Sequence, residues 1–160
     1  MRYQLNEKLL SVTNVFKILD DYGNLAFQVE GKFFSIGHNL SFVSAIGEHL
    51  AEIRQRLLTL LPRYEIYRGG EHFATITKDF SFFTDQFTLD VPGPNDYVIT
   101  GSFWQYEYEF HRGEEVVAVV SREFGTLTDK YSVDIVHGED VVSVLATVVV
   151  IDLCCQHKSE

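Results

Sequence analysis

Short alternating runs recur along the chain. Phe16-Lys17-Ile18, Leu40-Ser41-Phe42, Tyr64-Glu65-Ile66 and Phe87-Thr88-Leu89 each flank one polar residue with two apolar ones. Tyr106-Glu107-Tyr108-Glu109-Phe110 and Tyr131-Ser132-Val133-Asp134-Ile135 continue the series. A period of two, with aromatic and β-branched residues, specifies strands buried on one face. In the Tyr106–Phe110 strand, the aromatic residues should face inward and both glutamates outward. Between the runs lie Thr13-Asn14, Gly37-His38-Asn39, Pro62-Arg63, Thr84-Asp85 and Thr128-Asp129, which is hairpin chemistry.

The alternation belongs to an internal repeat. Lys8-Leu9-Leu10-Ser11-Val12, Lys32-Phe33-Phe34-Ser35-Ile36, Arg56-Leu57-Leu58-Thr59-Leu60, Lys78-Asp79-Phe80-Ser81-Phe82 and Arg122-Glu123-Phe124-Gly125-Thr126 share one pattern. The basic positions are separated by 24, 24, 22 and 44 residues, the last being two periods. A degenerate copy, Gly101-Ser102-Phe103-Trp104, fills the gap. Glycines at 23, 47, 70, 93, 113 and 138 keep the same period. The step from glycine to basic landmark is nine residues at Gly23, Gly47 and Gly113, and eight at Gly70, where one copy has lost a residue or gained a bulge. Six two-stranded units give about twelve strands in up-and-down order. A sheet that wide curls and closes, which removes its edges.

A closed barrel of twelve strands is wider than its own side chains fill, since about eight strands is the filled size. The run from Val141 to Leu153 is apolar on every side until Asp152, as a helix surrounded by protein must be. Val, Ile and Thr favour strands, so a thirteenth buried strand competes with the helix. Glu139-Asp140 suits a helix start and Lys158 its end, whereas Asp152 does not.

Composition narrows the classes. The chain has 160 residues, 46% hydrophobic and 14% aromatic, enough for one domain with its own core. Thirteen Lys and Arg against 23 Asp and Glu leave a net charge of -10, which argues against a nucleic-acid binder. Cys154 and Cys155 are adjacent and cannot staple a fold, so reduced thiols in the cytoplasm are expected. The first residues lack the apolar core of a secretion signal, and Val141–Leu153 is too short to span a bilayer.

Lys-Phe-Phe-Ser at 32–35, Asp90-Val91-Pro92-Gly93-Pro94, Phe103-Trp104 and the Val-rich run before Asp152 together resemble the LURP-one-related family. That family is similar to the C-terminal domains of tubby proteins and to phospholipid scramblases. The resemblance covers essentially the whole chain. It implies a twelve-stranded barrel, with strands over about residues 2–137, around a central helix over about 139–155. Tubby-like domains bind phosphoinositides through a basic cluster. That cluster is not located residue by residue in this chain, and no ligand-binding residue is carried over.

Candidate chemistry is sparse. Asp85 and Asp129 form a paired-carboxylate candidate, but both sit in Thr-Asp turns, where capping accounts for them. His49, His72, His111 and His137 lack metal-ligand spacing, and His157 beside the cysteines makes an incomplete zinc site. Trp104 reads as a packing anchor, and Asp152 as a residue emerging from the barrel mouth. Lys8, Lys32, Arg56, Lys78 and Arg122 remain, five of thirteen basic residues at one repeat position. Parity turns three of them outward, opposite Val29, Ile53 and Val119, as candidate anion or head-group contacts in a basic belt. Strand gatekeeping and cross-strand pairing with Glu30, Glu52 or Glu123 is the plainer alternative. The expectation is a non-enzymatic cytoplasmic module, without cofactor, metal or catalytic residue. It would meet anionic phospholipid or a membrane-associated partner, or else serve as a protein-interaction scaffold.

Overall fold

The computed structural model describes residues 1–6, 15–32, 37–80, 85–123 and 130–156. Twelve strands lie among the described residues. The first six are β1 (Arg2–Asn6), β2 (Val15–Asp20), β3 (Leu25–Lys32), β4 (Asn39–Ser44), β5 (His49–Gln55) and β6 (Arg63–Arg68). They are followed by β7 (Glu71–Asp79), β8 (Gln86–Asp90), β9 (Tyr97–Ser102), β10 (Glu107–Arg112), β11 (Glu115–Arg122) and β12 (Lys130–Ile135). Every strand pairs antiparallel with its neighbours in sequence, and β1 pairs with β12 to close the ring. The closing register sets Tyr3 opposite Val133 and Leu5 opposite Tyr131.

The apolar run is a helix, α1 (Val141–Gln156), and it fills the barrel. Sixteen residues of helix reach about 24 Å. Val144, Leu145, Ala146, Val148, Val149 and Val150 are wholly buried, so no face of the helix meets water along this stretch. The barrel is why the strand alternative fails. A closed ring has no edge left to pair with, and an unpaired strand inside it would bury its amides and carbonyls without partners. A helix bonds its own backbone, which outweighs the modest helix propensity of valine.

The expected alternation holds around the wall. Phe16 and Ile18, Leu40 and Phe42, Tyr64 and Ile66, Phe87 and Leu89, and Tyr131, Val133 and Ile135 all point inward and are buried. Tyr108 and Phe110 are buried, while Glu107 and Glu109 are exposed. Tyr106 differs. It ends a 3-10 turn (Phe103–Gln105) in the left-handed region, with φ 54°, just before β10 begins.

Four hairpins carry the same irregularity. The pairings skip Ala26, Leu50, Phe73 and Val117, so each of β3, β5, β7 and β11 has one bulged residue near its start. In the last three, alanine follows the bulge: Ala51, Ala74 and Ala118 face Phe42, Ile66 and Phe110. Large opposite small at one level lets the wall taper around the helix, which contacts β5, β6, β7, β12 and the 3-10 turn. The bulge at Val117 also resets parity in β11. Val120 points inward and Val119 outward, the reverse of the expected phase.

Two stability measurements follow. Val148→Asp would bury a carboxylate among apolar side chains, costing several kcal/mol against a total of about 10 kcal/mol. Insoluble or unfolded protein is expected, and a soluble variant with an unchanged melting temperature would remove the helix from the core. Phe110→Ala should cost about 3–5 kcal/mol in denaturant titration, and Glu109→Ala about half a kcal/mol or less. Equal losses would mean that β10 is buried on both faces.

Candidate functional site

Topology gives the barrel two distinct ends. α1 begins where β12 stops and runs back through the ring, so one rim surrounds the helix start and the other its end. β3, β5, β7, β9 and β11 all finish at the helix-end rim. That places the basic landmarks there. Lys32 is the last residue of β3, Arg56 follows β5, Lys78 is next to last in β7 and Arg122 ends β11. Lys8 lies outside the described residues, and of Lys32 only the backbone is described.

The landmarks share a rim but not a face. Arg56 follows the outward parity of Arg54, and Lys32 pairs with Asn39 on the outer side. Lys78 instead pairs with buried Phe87, and Arg122 with buried Tyr131, both at inward positions of the barrel mouth. The register explains the eight-residue step. His49 and His72 occupy matching places beside their bulges, so Ile76 corresponds to Ile53 and Lys78 corresponds to Gln55, not to Arg56. The outward belt is therefore corrected to a rim with cations on both faces. Arg56 pairs with Glu65 at 3.2 Å. Lys78 Nζ lies 3.8 Å from Asp85, with 14% of its side chain exposed. The Arg122 backbone amide donates to Glu107 Oε1 at 3.2 Å.

Beside these cations the same repeat segments leave apolar side chains exposed on the rim. Leu58 and Leu60 in the β5–β6 loop are fully exposed, Leu57 is about half exposed, and Phe80 is exposed in the β7–β8 connection. Trp104, expected as an anchor, is 47% exposed. Its neighbour Phe103 is buried instead, edge-on to Phe87 and close to Tyr108. Gly101 sets this up. Its φ is 141°, and a Cβ there would come within 2.6 Å of Tyr108 Cα. The strand can therefore bend sharply into the 3-10 turn that rotates Trp104 outward.

The helix-start rim has the opposite character. Its turns and strand ends carry Asp20, Asp21, Glu48, Glu71 and Asp90, then Asp96, Glu114, Glu115, Glu139 and Asp140. Arg2, Arg68 and Arg112, with the Met1 ammonium, are the cations set among them. Arg68 bonds Asp140 Oδ1 at 2.8 Å, and Ser143 Oγ donates to Asp140 Oδ2 at 2.9 Å. Arg112 donates to Tyr97 Oη at 2.7 Å and to Glu139, and Tyr97 Oη donates to Glu139 Oε2 at 2.6 Å. Burial and the Glu139 hydrogen bond push the Tyr97 phenol up. These carboxylates complement the positive end of the helix dipole and tie α1 to the wall.

At the other end of α1, Asp152 is buried with 2% of its surface exposed, and does not emerge into water. Tyr106 Oη donates to its Oδ1 at 2.7 Å, and the Tyr106 ring stacks on Tyr131 with centroids 4.5 Å apart. Burial, with Asp152 nearby, holds the Tyr108 phenol well above its usual range. Cys154 and Cys155 are half-buried. Burial and then Cys154 raise the Tyr64 phenol, whose oxygen lies 2.9 Å from His38 Nδ1.

The other candidates do not converge. Asp85 sits on the rim beside Lys78, while Asp129 and His157 lie outside the described residues. His72 bonds Thr75 at 2.9 Å, and His111 approaches Glu109 at 3.3 Å. Among the described residues, no three His, Cys, Asp or Glu side chains are grouped to hold a metal. A depression of about 300 Å³ on the outer wall is lined by Thr100, Gly101, Glu107, Tyr108, Glu109 and Val119, with Val120 beneath. No described helix is long and apolar enough to cross a membrane.

A twelve-stranded antiparallel ring plugged by the helix that follows it defines the class of this protein. The LURP-one-related family model matches residues 1–152, and the chain belongs to that family. It is 35% identical over 149 residues to the uncharacterized protein YxjI of Bacillus subtilis (strain 168), covering 93% of this chain and 90% of that one. The X-ray structure of a protein from Arabidopsis thaliana superposes with a TM-score of 0.68 at 19% identity, covering 99% of this chain and 92% of that chain. The latter likeness concerns the fold.

Tyr106→Phe tests the buried carboxyl. Removing the hydroxyl that donates to Asp152 should cost about 1–3 kcal/mol in denaturant titration. A loss below about half a kcal/mol would mean that this hydrogen bond does not help hold the helix end.

Proposed function

We propose that the protein is a non-enzymatic, tubby-like module that engages anionic phospholipid head groups through its helix-end rim. Charge polarity carries this reading. A chain of net charge -10 concentrates ten carboxylates at the helix-start rim, whereas among the described residues the other rim sets Lys32, Arg56, Arg63, Lys78, Arg122 and Lys130 against Asp79, Asp85, Glu107 and Glu123. At physiological salt the Debye length is about 8 Å, so the distant acidic pole is largely screened from a surface that the basic rim touches. The module acts in the cytoplasm, peripheral to a membrane, and needs no cofactor. A protein-interaction scaffold without lipid contact is the second reading, favoured by the Arg56–Glu65 pair, which already answers one of the cations.

Each basic residue near an anionic surface contributes about 1 kcal/mol, so Lys32, Arg56 and Arg122 together give about 3 kcal/mol. That corresponds to weak, salt-sensitive binding. Flotation with phosphoinositide-containing liposomes should show the protein bound at low salt and released as salt rises. Changing Lys32, Arg56 and Arg122 together to Gln should abolish the salt-sensitive part without altering the circular dichroism spectrum. If the wild type fails to float at low salt, or the triple variant floats equally well, the scaffold reading takes its place.

A further inference from the structure

We propose that the β5–β6 hairpin is a membrane-inserting wedge, its leucine tip entering the outer acyl region of a bilayer; this rests on the head-group reading for the orientation of the rim. The loop reads Arg56-Leu57-Leu58-Thr59-Leu60-Leu61-Pro62. Residues that connect two strands in water would ordinarily be rich in Gly, Asn, Asp or Ser. Here four are leucine, and Leu58 and Leu60 offer their whole side chains to solvent.

Leu58 also carries a second burden. Its φ of 61° lies in the left-handed region, where a leucine is strained and Asn or Gly is not. A side chain that is both fully exposed and set on a strained backbone does not serve the barrel's own stability. The tip is nevertheless held in shape. The Arg56 amide bonds the Arg63 carbonyl at 2.8 Å across the stem, Thr59 Oγ1 donates to the Leu61 carbonyl at 2.7 Å, and Leu57 rests against the backbone of Gly37. Such a loop presents its leucines with little ordering left to do.

The neighbourhood selects the occupant. Around the ring the next two hairpins on this rim carry Phe80 and Trp104, so three successive tips expose apolar groups. Separate projecting tips do not make the continuous face of about 800 Å² per partner that a stable dimer buries. A fluid bilayer closes around each projection. Arg56 and Arg63 at the base of the wedge would then lie at head-group depth. Trp104 would sit at the boundary, where its amphipathic ring is favoured. The acidic pole faces away.

Trp104 is the chain's single tryptophan and reports on the contact directly. Binding is measured by co-sedimentation with phosphatidylcholine vesicles, with and without phosphatidylglycerol, and by quenching of Trp104 by brominated acyl chains. The wild type should bind the mixed vesicles and be quenched. Leu58→Asn with Leu60→Asn should lower the partition coefficient about tenfold or more and remove the quenching. Its melting temperature should hold or rise, because Asn relieves the strain at position 58. Mixed-vesicle binding undiminished by the Asn pair would overturn the wedge while leaving the head-group reading to the Gln triple variant. Binding lost in the Asn pair but kept in the Gln triple would uphold the wedge and remove the head-group reading. Absence of wild-type binding to both vesicle types would overturn it. So would wild-type self-association in sedimentation equilibrium that the Asn pair abolishes, which would make the tip a contact between copies.

Discussion

A closed ring of strands has no free edge, and everything inside it must satisfy its own backbone. That constraint selects the helix against the strand preference of its valines. It also explains the polar residues α1 contains. Thr147 turns its hydroxyl back to the Ser143 carbonyl, Ser143 meets Asp140, and Asp152 receives the Tyr106 hydroxyl. Each buried polar group of this helix named here has an answer close by. The bulged hairpins belong to the same solution, since the alanines that follow them leave room for a cylinder where the facing residues are large.

Once the helix occupies the barrel, the two rims cannot be alike. Around its start the amides face outward with positive character, and the surrounding turns supply carboxylates, with Arg68 and Arg112 as cross-ties. That end is sealed by short hydrogen bonds among Tyr97, Arg112 and Glu139. Around the helix end, the β5–β6 connection carries Arg56 and exposed leucines, and the β9–β10 connection exposes Trp104.

Much of the architecture was written in the repeat. The landmark glycines at 23, 47, 70, 93, 113 and 138 all adopt positive φ, which is why they kept their spacing. The finer phase was not legible. A bulge adds one residue without changing the hydrophobic pattern, so Val119 was assigned inward-opposing parity that Val120 takes. In β7 the basic residue stands one position earlier in an unchanged register, which puts Lys78 on the inner side. The outward turn of Trp104 depends on the bend at Gly101 and the approach of Tyr108, a contact that local sequence does not show. The leucine tip was hidden by the repeat itself. Arg56-Leu57-Leu58-Thr59-Leu60 matches Lys32-Phe33-Phe34-Ser35-Ile36, so its leucines passed as structural. Four leucines without a turn residue before Pro62 were the signal that could have separated them.

The seam between β1 and β12 has a consequence for how the chain reaches this shape. It joins Tyr3 to Val133, nearly the full length of the described chain, and α1 follows both strands in sequence. During synthesis, eleven strands can assemble as an open sheet whose apolar face and two raw edges wait for the last segments to arrive. Pairing across such a distance carries a large loop-closure cost, and slow closure exposes edges to other chains. The plug must also be in place before the seam zips, because a shut ring offers it no way in. Ring closure and helix docking thus belong to one kinetic event. Until both are complete, the open sheet keeps an apolar face and unpaired edges that other chains can meet.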